Sequence, residues 1–217
     1  MSDTSSESSS THSSVTLAST VSNSPTLHDL TTAALATHAL LDFWYLEHVF
    51  LGDFQLLLMG RTKPIVKGVD VEVRKAGLLL GLKAVRMLFA KDQAEWDLDL
   101  SSEKEKGFEV VHRPSGVIVR VFMRGNNDLF LSGDVYFFPS FPTVPFLSGT
   151  NFLVDKINSA ASSGATVDAE DIIWLEDKHH LYEPDLVRKR VGKKVAKRAC
   201  ERYRALASCF MAMGFSF

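Results

Sequence analysis

The sequence predicts an α/β or α+β domain, a small mixed β-sheet flanked by helices and followed by a helical C-terminus. Three observations predict it. Short apolar runs bounded by glycine turns alternate with helical patterns through the first part of the chain, the mark of a domain that mixes strands and helices. Phe108 to His112 and Val117 to Met123 bracket Pro114-Ser115-Gly116, which reads as an antiparallel hairpin. The last third carries apolar residues at helical spacing and no strand-like run.

Taken in order, Met1 to Ser24 is dominated by Ser and Thr and lacks an apolar h-region. Such a segment buries too little apolar surface to offset its ordering entropy, so residues 1–24 are expected to be a disordered tail. Ser24-Pro25-Thr26 gives a helix start, and Leu30, Ala33, Ala34, Leu40, Leu41, Trp44 and Tyr45 extend that helix to about His48. Val49-Phe50-Leu51 is a buried strand entering a turn at Gly52, and Phe54 to Met59 a short helix that Gly60 ends. Arg61 to Lys67 is a basic loop around Pro64, and Val66 to Val73 the next strand. A helix is expected from Gly77 through Phe89, then an acidic connection, the hairpin, a strand from Leu129 to Phe138, and an extended crossing marked by Pro139, Pro142 and Pro145. Helices are expected over Thr150 to Ala161, Asp168 to Lys178, and Pro184 to Gly214. Asp168 and Asp171 sit favourably at the start of the second of these. The division is therefore tail 1–24, domain 25–182, and a basic amphipathic C-terminal helix 183–217.

The chain has 217 residues, 46% of them hydrophobic and 23% charged, enough apolar material for one core. Its net charge of -2 argues against a surface built throughout for nucleic acid. Cys200 and Cys209 are too few for a disulfide framework and read as free thiols of a reducing compartment, cytoplasmic or nuclear. No segment approaches the roughly 18 apolar residues that a membrane span requires, so no membrane partner is expected. His179-His180 follow a helix end and lack a third zinc ligand, and His112 has no nucleophile partner.

Chemistry concentrates between Gly52 and Val73. Asp70 and Glu72 are two apart, so on a strand both project to the same face. Paired carboxylates beside a glycine turn are a means of holding a divalent metal against a phosphate. They equally suit the solvated face of a half-buried strand. Arg61 and Lys63 in the basic loop are candidate phosphate ligands.

Three stretches, Leu51 to Val73, the Phe108 to Met123 hairpin, and Phe146-Leu147-Ser148 onward through Leu153-Val154-Asp155-Lys156-Ile157 to Asp168-Ala169-Glu170-Asp171, carry a family likeness. Through them the chain resembles minimal nucleotidyltransferase-like proteins related to the AbiEii type, common also as stand-alone fungal proteins. The resemblance implies a sheet of nucleotidyltransferase type and transfer of a nucleoside monophosphate to a hydroxyl. It implies Mg²⁺ held by Asp70 and Glu72 as catalytic carboxylates, with Gly52 facing phosphate and Lys156 binding the nucleotide. The chain departs from the pattern. Gly52-Asp53 stands where Gly-Gly or Gly-Ser is usual, and Gly68-Val69-Asp70 where Asp-x-Asp is usual. The third acid is replaced at Arg120 or Phe122. A guanidinium at 120 is positioned to pair with Asp70 and fill the metal's place. The alternative implied is a catalytically inactive relative that binds a nucleotide, RNA or a protein. Arg188-Lys189-Arg190, Lys193-Lys194, Lys197-Arg198, Arg202 and Arg204 make the C-terminal helix a candidate surface for RNA, an acidic protein or the import machinery.

Overall fold

A computed structural model describes residues 24–62, 66–74, 81–98, 107–124, 134–162 and 166–217. Thr26 opens helix α1 (Leu27–Phe43) with a capping box. Its hydroxyl accepts the Asp29 N–H at 3.2 Å while the Asp29 carboxylate accepts the Thr26 N–H at 2.9 Å. Leu30, Ala33, Ala34, Thr37 and Leu41 bury one face. The helix stops five residues short of the expected His48. The Leu46 N–H donates to the Leu41 carbonyl (2.9 Å) and the Tyr45 N–H to that of Asp42 (2.8 Å). That is a Schellman closure, sealed by the buried Leu41 and Leu46.

Strand β1 (His48–Leu51) then leads through Gly52 into helix α2 (Asp53–Leu58), and strand β2 (Gly68–Arg74) returns antiparallel to β1. Helix α3 (Leu82–Lys91) follows; the expected start at Gly77 lies outside the described residues. Next come β3 (Trp96–Asp97) and the expected hairpin, β4 (Gly107–His112) and β5 (Val117–Arg124), then β6 (Val135–Tyr136) and β7 (Phe146–Leu147). The mixed sheet runs β3-β4-β5-β2-β1-β7-β6. β2 sits at its centre, parallel to β5 and antiparallel to β1. The two-residue strands β3 and β7 had no alternation to announce them. Of the expected strand Leu129 to Phe138, residues 129–133 lie outside the described set and Val135–Tyr136 pairs.

Two cores share the sheet. Val69, Val71 and Val73 of β2 pack with α1, α3 and β4–β5 in the first. Phe50, Phe54, Phe138, Phe141 and Phe146 add a cluster of edge-on and tilted rings to it. In the second, Val49, Leu56 and Leu147 meet helices α4 (Gly149–Ser162), α5 (Thr166–Glu176), α6 (Pro184–Arg202) and α7 (Leu206–Ala212). The fold is α/β, with a mixed sheet flanked by helices and a helical C-terminus. That terminus is not the single helix Pro184 to Gly214 that the sequence suggested. Gly192, at φ 69°, breaks α6, and Tyr203 separates it from α7. The break shifts the apolar phase, so Val187 and Val191 are followed by Ala196 rather than Val195 as the fully buried residue. Among the described residues no helix is long and apolar enough to cross a membrane.

Candidate active-site cleft

The central strand places the candidate acids. Val69, Val71 and Val73 are buried, so Asp70 and Glu72 project together from the opposite, half-buried face of β2. On β5 the register sets Arg120 beside Asp70 and Phe122 beside Glu72. Ile118 and Phe122 are exposed, so this part of the face is open to solvent. On the other side Leu51 lies opposite Asp70, which brings the Gly52 turn over the carboxylate. Gln55 steadies that turn from α2, its Nε2 donating to the Leu147 carbonyl at 2.5 Å.

The Asp70 carboxylate is held at two points. Arg120 Nε donates to Oδ1 at 2.5 Å and an Arg120 terminal nitrogen to Oδ2 at 3.0 Å. This is the fork geometry that only arginine provides. Burial pushes the Asp70 carboxyl above its ordinary value of 3.8; Arg120 pulls the other way, Asp53 adds to the rise and Lys156 opposes it. Those four side chains therefore share one electrostatic neighbourhood.

Both glycines expected to matter are occupied differently from the family pattern. Gly52 adopts φ 80°, ψ -155°, and a Cβ there would collide with Asp70 Oδ2. The space where a phosphate would approach this turn is thus filled by the carboxylate. Gly68 shares the Asp70 face, but a Cβ on it would collide with the Ile118 carbonyl oxygen of β5. An acid cannot be restored there without moving that strand. The donor set does not fit a divalent metal. Asp70 spends both oxygens on Arg120, Glu72 is the only other acid on its face of β2, and 68, 120 and 122 carry Gly, Arg and Phe. Among the described residues no group of three or more His, Cys, Asp or Glu is arranged to hold a metal.

The expected phosphate ligands converge, but on acids. Lys156 Nζ lies 2.7 Å from Asp171 and 3.2 Å from Asp168. Arg61 pairs with the same Asp171, lies 3.9 Å from Glu170, and stacks over Trp174 at 5.9 Å. Asp171 is fully buried, and a buried carboxylate is tolerable only with such cations around it. Asp168 and Asp171 were read as helix-start charges; their main work is to tie α5 to α4 and to the loop after α2. Both lie on the buried face of α5. Lys63 lies outside the described residues.

The C-terminal cations are all exposed. Arg188 pairs with Asp185, Arg190 with Asp134 at 3.0 Å, Lys193 donates to Ser216 and Arg202 to the Ser162 carbonyl. Lys189, Lys194, Lys197, Arg198 and Arg204 have no acidic partner among the described residues.

The fold is similar to that of an antigenic nucleotidyltransferase-like protein from Paracoccidioides brasiliensis, at 14% identity over 85% of this chain and 93% of that one, with a TM-score of 0.58. A candidate nucleotidyltransferase from H. pylori matches 86% of this chain and 92% of its own at 11% identity and a TM-score of 0.47. No family model matches the chain, and no curated protein matches its sequence. The fold is nucleotidyltransferase-like.

Proposed function

We propose that this protein is a nucleotidyltransferase-fold binding protein that does not carry out metal-dependent nucleotidyl transfer, and that its partner is RNA held by the basic C-terminal face. The two-point Arg120–Asp70 pair carries the first part. A guanidinium and a metal compete for the same carboxylate lone pairs, and here the guanidinium holds both oxygens. Transfer of a nucleoside monophosphate through Mg²⁺ on Asp70 and Glu72 would require Arg120 to swing away from both oxygens of Asp70. Lys156 and Arg61 would also have to leave Asp171 before meeting a triphosphate.

The second part rests on the free cations of α6 and the segment after it. Val187, Val191, Ala196 and Ala199 of α6 turn inward, so its outer face offers charge without an apolar anchor. A protein interface needs such an anchor, whereas a phosphate backbone needs only the charges. Calorimetric titration with each nucleoside triphosphate tests the first part, and the expected result is no heat that depends on Mg²⁺. Mg²⁺-dependent binding abolished by Asp70→Asn would overturn it. For the second, neutralising Lys194, Lys197 and Arg198 to Gln should make log K for single-stranded RNA less steep against log salt by about 2. An unchanged slope, or equal competition by polyglutamate, would point away from RNA and toward an acidic protein.

A further inference from the structure

The opposite end of β1 carries a second site. There, α1, β1 and the crossing before β7 border an open pocket of about 570 Å³ whose lining includes Tyr45, Val49, Val135 and Phe137. It lies beside the His48↔Val73 pairing, while Asp70 lies beside Leu51. The pocket therefore lies outside the cleft described above.

Its polar groups resolve by elimination. His48 Nδ1 is 2.7 Å from the Leu46 carbonyl, which can only accept, so Nδ1 carries the proton. His48 is buried and neutral, so its Nε2 presents a lone pair to His38 Nδ1, 2.9 Å away. His38 Nδ1 must then be the donor. Its own Nε2 is left as an acceptor, with no partner among the described residues. Asp42, one helical turn along α1, adds a carboxylate to the same wall, and Glu47 is already paired with Arg74. The pocket therefore offers acceptors, one uncompensated negative charge and aromatic faces, a combination that repels phosphate and attracts cations.

Tyr45 is the independent observation. It occupies the left-handed position of the Schellman closure, at φ 53°, where glycine is the usual residue. A bulky side chain is strained there. Packing does not repay the strain, because Tyr45 is 91% exposed. Strain kept without a packing return, at the rim of a pocket, is the pattern of a residue retained for binding.

We propose that this pocket binds a small organic ammonium with an apolar body. Asp42 opposes its charge, His38 Nε2 accepts one of its N–H groups, and the Tyr45 and Phe137 rings flank it. The test uses the full chain and three matched probes, 2-phenylethylamine, 2-phenylethanol and phenylacetate, followed by calorimetry and by the His38 ring resonances. The amine should bind at least about tenfold more tightly than the other two. Asp42→Asn should cost about tenfold in amine affinity. Tyr45→Gly should raise the Tm while weakening the amine, opposite effects that a purely structural residue would not produce. Amine affinity should fall as pH drops through the His38 value, which burial holds below 6.5, because a second proton there removes the acceptor and adds a like charge. Burial favours the neutral ring and Asp42 favours the protonated one, with the Glu47–Arg74 pair beside them at the edge. Phenylacetate binding as tightly as the amine would overturn the proposal. So would an affinity unmoved by both substitutions, or no response to millimolar amine.

Discussion

The two ends of the β1–β2 pair use their titratable groups in opposite ways. At the Leu51–Asp70 end each charge is committed: Asp70 to Arg120, Asp171 to Lys156 and Arg61, Lys156 also to Asp168. At the His48 end a neutral histidine pair, an exposed carboxylate and two exposed rings stand around open space. The difference teaches that a site expected from the sequence need not be the site that is chemically receptive. Charge that is locally paired is not available to a ligand, whereas polar groups left over are.

The largest effect that would break this comparison is expected at Asp171. It is fully buried between two cations, so Asp171→Ala leaves Lys156 and Arg61 without their shared partner and should cost about 3–5 kcal/mol in urea unfolding. A cost below about 1 kcal/mol would mean the cluster is solvated and its cations are free for a phosphate.

Next in size is the pH response of the opposite end. Burial lowers the His48 pKa from 6.5 to about 4, so the unfolded chain takes up this proton first. Its contribution is therefore complete above pH 6.5 and is lost as pH falls toward 4, by on the order of 3 kcal/mol. His48→Phe should flatten that slope in urea titrations. Asp70 runs the other way. Its raised pKa makes its contribution greatest below 3.8 and smaller as pH rises through the folded value.

A smaller effect sharpens the comparison at the cleft. Arg120 is 35% exposed and Asp70 14%, so solvent screens the pair in part. Arg120→Ala should cost about 2 kcal/mol, and the double variant with Asp70→Ala should recover part of it. Full additivity would mean the two side chains do not depend on each other.

Much of the cleft was legible because its signals are local. The capping box, the Gly52 turn, the β2 alternation and the hairpin each lie within a few residues, and Arg120 stood where the hairpin set it against Asp70. The rest was hidden for physical reasons. Asp171, Lys156 and Arg61 meet through tertiary packing, which no spacing encodes. The end of α1 was missed because tyrosine, not glycine, fills the left-handed position. The His38–His48 pair forms only because that closure folds β1 back beside α1. Gly192 breaks a helix in the middle of a run whose apolar and basic residues continue at helical spacing on both sides, so its positive φ left little trace in the pattern.

The most direct test of the central claim is the side-chain carboxyl carbon resonance of Asp70 during Mg²⁺ titration with ATP present. With both oxygens held by Arg120, the resonance should stay in place in the native chain. A Mg²⁺-dependent shift of Asp70 in the native chain, shared by Glu72, would contradict the account and restore a metal site.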